Sequence, residues 1–583
     1  MNRARTAFVP AAAVLALLAM SACSGGGGTG ESGGDSGPHK GGTLTILTQS
    51  DQIDHLDPQR DYVGEDFAFE SAYLVRTLTA YKLSPNADEA TQLVGDLAKG
   101  TGKPSDGGRT WAFGLRSGAK WQDGSPVTCA DIKYGISRTF AQTVITDGPT
   151  YAIQFLDIPK AKDGTSVYKG PYEKSGNNTA AYDKAVECSA DGSTITFHLN
   201  RPVGDFNYTV SMPAFGAVPK AKDTGEQYDD DIFSDGPYKI SEYSKGEQLV
   251  LVRNPHWSHK TDPYRPAYPD KIVMKFSLQP TVIDQRMKAD AGADQMAISR
   301  DQLGTTSLSE VFNDSRYASR RVNVLNPYVY MLAINSSHVT SLKQRQAIQV
   351  ALNRAQILKI DGGKYAGDLA DGVISPNLAK DYAKTGLWTT MFGQKIPPTG
   401  DPALAKKLIK ESGKPMPTIT YDYATSPVED KEAASIKASL ARAGINVDLN
   451  PLQHGKRNEF ELNPKTENEL EWTAWASDWP NASTVIPSLF ETGGGWSMSR
   501  ANDKQFDKRC EAAKAQLNRD KQSETWKQLN KEAMAKAWAV PVRYGRAQRL
   551  AGSKIGTAQG KNGHVYMWTP DGSWPYADLY VKG

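Results

Sequence analysis

Cysteine is scarce, four in 583 residues. So few cannot build a fold of this length through disulfides or zinc. An excess of one charge is also missing. Lys and Arg total 68 against 65 Asp and Glu, a net +3, and Arg3 and Arg5 lie in a segment read below as cleaved. The remainder is close to neutral, which argues against a nucleic-acid binder, whose affinity rests on a basic face. Beyond residue 20 no run approaches the ~20 apolar residues of a membrane-spanning helix. Hydrophobic residues at 39 % and charged residues at 23 % exclude a disordered chain and fit a soluble globular one. The length suggests roughly two to four lobes.

Enzyme signatures are missing as well. There is no GxxxxGK[ST], HExxH or CxxC. Gly30-Glu31-Ser32-Gly33-Gly34 spells GxSxG, but a nucleophile elbow needs a strand before it and a helix after it. This copy sits in a glycine run. His256 and His259 have a spacing that could put two metal ligands on one helical face. Pro255, Trp257 and Ser258 around them read as a loop, and no third ligand is near. No metal and no cofactor are expected.

What is present begins with an address. Arg3 and Arg5 form a basic n-region, Ala7 to Met20 is apolar, and Ser21 and Ala22 precede Cys23. That order reads as a signal peptide over residues 1–22. Met20-Ser21-Ala22-Cys23 resembles the lipobox of bacterial lipoproteins, with Met in place of the commoner Leu. The resemblance implies a lipid on the Cys23 thiol. Ser24 to Gly42 holds ten glycines and no large apolar residue, so it cannot repay its ordering entropy. Residues 23–40 read as a flexible tether between a membrane anchor and a folded body.

The body reads as α/β. Thr43 to Leu47 alternates as a first strand. Thr418 to Tyr423 is strand-like, and Ser426-Pro427-Val428-Glu429 then opens a helix with an N-cap, an early proline and an acid at the box position. That helix carries Ile436 and Leu440 and stops at Gly444, and Ile445 to Leu449 alternates again. The unit is a βαβ crossover with parallel strands. A second helix starts at Thr128 with Asp131 in the box position and Ile132, Ile136 and Phe140 on one face. A third follows Ser341, with Gln344 in the box position and Ile348, Ala351 and Ala355 on one stripe.

Several motifs, in order, carry a resemblance. Gly41-Gly42-Thr43-Leu44-Thr45 is followed by Leu56-Asp57-Pro58. Thr110-Trp111-Ala112-Phe113-Gly114-Leu115-Arg116 leads to Trp121-Gln122-Asp123-Gly124-Ser125-Pro126-Val127 and Asp131. Gly236-Pro237-Tyr238, Arg253-Asn254-Pro255, Arg345-Gln346-Ala347-Ile348 with Asn353-Arg354, and Val540-Pro541-Val542 come after. The set resembles the family 5 extracellular solute-binding proteins, the peptide- and nickel-type receptors of ABC importers. The resemblance implies a two-lobed periplasmic-binding-protein-like (type II) fold with an extra subdomain inserted in the first lobe. The first lobe is expected from 41–75, 200–290 and 541–583, the inserted subdomain from 76–199 and the second lobe from 291–540. Cys129, Cys188 and Cys510 are either buried free thiols or include one disulfide, and Cys129 with Cys188 is the favoured pair because both fall in the insert.

One segment speaks about the ligand. Glu471 to Ala476 is strand-like and ends in Ser477-Asp478-Trp479-Pro480-Asn481. A carboxylate past a strand end, flanked by Trp475 and Trp479, suits an ammonium ligand. It resembles the W-x-x-D of peptide-binding members, where the Asp holds the peptide's α-amino group. The plainer alternative is a surface turn capped by Asp478 with the tryptophans packed as core. Tyr151 resembles a further pocket aromatic, and Arg543, where some members carry Tyr, could offer a cation to a ligand carboxylate. The expected function is a monomeric, lipid-anchored receptor outside the cytoplasm that hands a peptide to an ABC permease. Oligosaccharide and metal-chelate receptors remain as alternatives, with a tethered hydrolase behind them.

Overall fold

The computed structural model describes residues 37–583 apart from 454–459, 461, 462 and 464. The expected signal peptide, Cys23, the GxSxG copy, most of the tether and His454 lie outside the described residues.

The first lobe is built on a five-stranded sheet in the order Ala297–Ser299, Thr43–Leu47, Lys271–Lys275, Gln248–Arg253, Tyr238–Ser244. Thr43–Leu47 pairs in parallel on both sides. Parallel neighbours need a crossover, which the helix Pro280–Ala289 supplies between Lys271–Lys275 and Ala297–Ser299. Pro280 stands in the first turn, where a missing N–H costs nothing. Ile283 and Met287, one turn apart, are buried beneath that helix with Leu303, Leu308, Val311 and Tyr317. The expected lobe boundary at residue 290 is therefore corrected. The last strand of this sheet and the helical layer behind it carry the first lobe on to about residue 320.

The inserted region holds a four-stranded sheet, Lys103–Ser105, Thr110–Gly114, Thr194–His198, Val186–Cys188. Beside it runs the helix Cys129–Arg138, with a complete Thr128/Asp131 capping box. Cys129 and Cys188 are disulfide-bonded, with Cα atoms 6.0 Å apart, and Cys510 is a buried free thiol. His256 and His259 lie in turns.

The second lobe holds a six-stranded sheet, Gly367–Leu369, Ala539–Leu550, Arg321–Ile334, Leu470–Trp475, Ile419–Ala424, Val447–Leu452. The last two pair in parallel around the helix Glu429–Ala441. The Glu429 N–H donates to Ser426 Oγ at 3.1 Å, Ile436 and Leu440 are buried, and Gly444 turns the chain at φ +78°. The third helix differs from its reading. Ser341 makes no side-chain cap, the helix ends at Ala351, and a second one, Arg354–Ile360, follows a break. Gln344 is drawn away because its amide donates to the Pro415 carbonyl at 2.8 Å.

Arg321–Ile334 and Ala539–Leu550 run antiparallel and belong to both lobes. Val322 and Ala547 pack in the first-lobe core, while Val329, Met331, Val540 and Val542 pack in the second. Their register breaks between Leu325 and Val329. The expected boundary at 541 thus falls inside a strand shared by the lobes. At the break, a Cβ on Gly545 would stand 2.5 Å from Asn326 Oδ1, so only glycine fits that close approach.

A buried ion network ties the insert to the first lobe. Asp96 takes the Arg76 Nε–H at 2.9 Å and the Arg265 guanidinium at 2.8 Å, and Arg265 also pairs with Asp262 at 3.1 Å. Burial alone would raise Asp96; Arg265 and Arg76 outweigh it and hold the carboxyl at about 2. A depressed carboxyl stabilises the fold above its unfolded value and loses that contribution as pH falls toward 2. Asp96→Asn leaves two buried guanidinium groups short of a counter-charge and should cost about 3–5 kcal/mol. Urea unfolding at pH 7 reads this directly, and a loss below about 1 kcal/mol would show the network to be energetically idle.

Candidate functional site

A cleft of about 1210 Å³ lies between the lobes. Its second-lobe wall is the loop after strand Leu470–Trp475. The loop is fixed locally. Asn481 Oδ1 accepts from the Ser483 N–H at 3.0 Å, the Asp478 N–H donates to Thr484 Oγ1 at 3.1 Å, and Trp475 Nε1–H donates to the Thr484 carbonyl at 2.8 Å. The carboxylate of Asp478 is thereby aimed across the cleft.

Asp478 is the meeting point of all three parts of the protein. Its Oδ2 accepts from the Tyr62 hydroxyl of the first lobe at 3.1 Å and from the Tyr151 hydroxyl of the insert. Its Oδ1 has no partner among the described residues, and no cation pairs with it. Burial raises the carboxyl, the Tyr151 and Tyr62 hydrogen bonds oppose that, and the outcome is about 6. At neutral pH the group is mostly ionised, poorly solvated and without a counter-ion.

The remaining expected residues divide. Tyr151 lines the cleft and packs on Phe155 at 5.5 Å. Trp475 is half-buried in the wall, its ring 5.3 Å from that of Trp496. Trp479 is 2 % exposed and packs with the first-lobe core. Its Nε1–H donates to Asp205 Oδ2 at 2.8 Å, and Tyr151 covers it edge-on at 4.9 Å. It joins the lobes and still forms part of the cleft lining, with most of its ring turned to the core. Arg543 is not in the cleft lining. Its Nε–H donates to Asp361, Nη1 reaches the Ala366 carbonyl, and the guanidinium stacks 3.4 Å over Tyr330. Two of its five N–H donors are thus committed outside the cleft.

The sequence reading missed three residues. Tyr62 follows a turn without periodicity, Asp205 is a loop acid, and Arg201 begins the loop after strand Thr194–His198. Arg201 is the informative one. Its guanidinium lies 5.2 Å from the Phe155 ring and lines the cleft. Its Nε is buried without a hydrogen-bond partner, and among the described residues no carboxylate forms an ion pair with it, although its charge is felt by Glu511. Lys514, also in the lining, is by contrast committed to Glu491 and Glu511. Nothing local marks one arginine as unpaired, because pairing is decided by residues distant in sequence.

Comparisons with known proteins agree with this architecture. The profile of the bacterial extracellular solute-binding proteins, family 5 Middle, matches residues 92–497. The dipeptide-binding protein DppE of Bacillus subtilis (strain 168) is 22 % identical over 77 % of this chain and 78 % of its own. The periplasmic oligopeptide-binding protein OppA of Salmonella typhimurium is 23 % identical over 81 % of each chain. Among solved structures, the clavulanic acid biosynthesis oligopeptide binding protein 2 superposes with a TM-score of 0.83 at 26 % identity, covering 94 % of this chain and 97 % of that one.

The carboxyl of Asp478 should titrate near 6, and Tyr151→Phe should raise it, since removing a phenol donor disfavours the charged form. The check is ¹³C-aspartate NMR titration, with Asp478→Asn used to assign the resonance. A value near 4 in both proteins would show the carboxylate to be well solvated.

Proposed function

The chain belongs to family 5 of the bacterial extracellular solute-binding proteins, and from that premise we propose that it captures an oligopeptide between its lobes by hinge closure and delivers it to the permease subunits of an ABC importer. Members of the family are binding proteins and not enzymes, which sets the tethered hydrolase aside.

The observation that carries the peptide reading is the state of Asp478. A carboxylate with one free oxygen and no counter-ion, held by two hydroxyls from across the cleft, is suited to a ligand ammonium. Arg201 supplies the opposite charge, in the role first given to Arg543. Contacts step from Asp478 through Tyr151 and Phe155 to Arg201, which bounds their separation at roughly 16 Å, the reach of four or five extended residues. As that is an upper limit, a zwitterionic peptide of up to that length can pair with both charges. The aromatic walls at Trp475 and Trp496 would serve an oligosaccharide equally well, but a neutral sugar leaves Asp478 and Arg201 unpaired. A metal chelate has no evident use for an unpaired carboxylate and an unpaired guanidinium in one cleft.

The anchor belongs to the same reading. A lipid on Cys23 and the Gly-rich segment behind it hold the receptor, as a monomer, on the outer face of the membrane near its permease. Cys23→Ala should move the protein from the membrane fraction to the soluble one, because a Gly-rich tether has no affinity for bilayers. A variant that stays membrane-bound would exclude the lipid as anchor.

The ligand test is calorimetric titration of wild type and Asp478→Asn with a tripeptide and with its N-acetylated form. Removing one partner of a charge pair inside a closed cleft should cost about 2–5 kcal/mol, roughly thirty-fold to several thousand-fold in affinity. Wild type is expected to lose most of its affinity on acetylation, and the Asn variant to discriminate far less. Equal binding of both forms by wild type would remove the ammonium site and the reason for preferring peptides to sugars.

A further inference from the structure

The cleft holds a second acid without a protein partner among the described residues. Among its acidic residues, Asp205 accepts from Trp479 and Ser483, Glu491 and Glu511 pair with Lys514, and Asp507 takes Thr492. Asp571 has no hydrogen-bond or ion-pair partner among the described residues. The cations nearby are spoken for. Arg549 makes a two-pronged pair with Glu65, Arg300 binds Asp66, and Arg265 serves Asp96 and Asp262. Burial and the Glu65 charge push Asp571 up to about 8, as befits a carboxyl without a counter-ion.

Asp571 does not stand alone. Below the cleft lies a separate cavity of about 30 Å³ that shares Phe67, Asp478 and Asp571 with it. The rest of its wall includes the rings of Tyr81, Tyr264 and Trp568. Trp568 is fixed by donating its Nε1–H to the Lys82 carbonyl at 2.9 Å, and its ring meets that of Tyr81 at 6.1 Å. Aromatic faces attract cations, and the Asp478 carboxylate and the Asp571 carboxyl share the wall. The volume admits a group of about water size. A compact ammonium fits that space more readily than a planar guanidinium.

We propose that this aromatic cavity between Asp478 and Asp571 is a side-chain subsite for a primary ammonium, so that the receptor prefers ligands whose first residue is lysine or a shorter diamino acid. The inference rests on the peptide reading above. Asp478 takes the α-ammonium through its free oxygen. The adjoining wall then receives the ammonium at the end of the same residue's flexible stem, whose charge favours ionisation of Asp571 and pairs with it.

The experiment is calorimetric titration of the full chain with Lys-Gly-Gly, norleucyl-Gly-Gly and Arg-Gly-Gly. Norleucine keeps the length of the stem and removes the charge. Wild type should bind the lysyl peptide at least about tenfold more tightly than either of the others. In Asp571→Asn that preference should fall to about twofold or less, with affinity for the norleucyl peptide unchanged, which also reports an intact fold. Asp571→Ser carries the same expectation should the amide variant misfold. Equal affinity of wild type for the lysyl and norleucyl peptides would overturn the subsite and leave the peptide reading standing. So would a lysyl preference that survives both substitutions. Failure of all three peptides to bind wild type would overturn the peptide reading and the subsite together.

Discussion

Two strands carry the chain from one lobe to the other, and everything in the cleft depends on how they are paired. Arg321–Ile334 and Ala539–Leu550 lose register between Leu325 and Val329, at Asn326-Pro327-Tyr328. Proline has no N–H to give a ladder. Asn326 fills part of the gap, with its Oδ1 accepting the Tyr328 N–H at 3.0 Å. The break is also a wall of the site, because Pro327 and Tyr328 line the cleft. A Cβ on Gly572 would stand 2.4 Å from Pro327 Cδ, so the turn that carries Asp571 rests directly on the break. A rotation of the lobes there would move the two acids of the cleft relative to each other, which couples ligand geometry to hinge angle.

At the cleft edge the lobes touch through few and modest contacts. Trp479 and Ser483 both donate to Asp205, and the Gly204 N–H donates to the Lys514 carbonyl at 2.9 Å. Hydrogen bonds of this kind contribute about 1 kcal/mol each after desolvation. Their sum is within reach of what a ligand of moderate affinity can add or withhold. A large apolar interface would have locked the lobes together. The buried Arg76–Asp96–Arg265–Asp262 network lies instead between the insert and the first lobe and fastens those two parts to each other.

What could be read from sequence follows the range of the interactions involved. The βαβ unit around Glu429–Ala441 and the Thr128/Asp131 box are set by residues within a few positions, and local rules find them. Asp478 and Trp475 could be placed because a strand end and a short motif are local as well, and both line the cleft. The contacts that local rules do not reveal are long-range. Gln344 leaves its box for a carbonyl about seventy residues away. Arg543 is taken by Asp361, and Trp479 by Asp205 in the other lobe. The lobe boundaries shifted for the same reason, since a strand belongs to whichever sheet it pairs with. Arg201 and Asp571 matter because of what they lack, and a missing partner has no signature in a linear pattern.

The choice of phenols around Asp478, and not a cation, bears on how a receptor avoids closing empty. An arginine there would satisfy the carboxylate with or without ligand, and an incoming ammonium would have to displace it. Tyr62 and Tyr151 orient the group without neutralising it, and burial keeps it near 6. Closing the cleft on nothing strips water from a charge that has no partner, which costs free energy. Closing on an ammonium removes that cost. A ligand shifts an open–closed equilibrium only by its differential interaction with the two states. An under-solvated carboxylate makes that difference large, because it penalises the empty closed state as well as rewarding the filled one. On the proposed peptide reading, discrimination between occupied and empty receptor would begin at this single side chain.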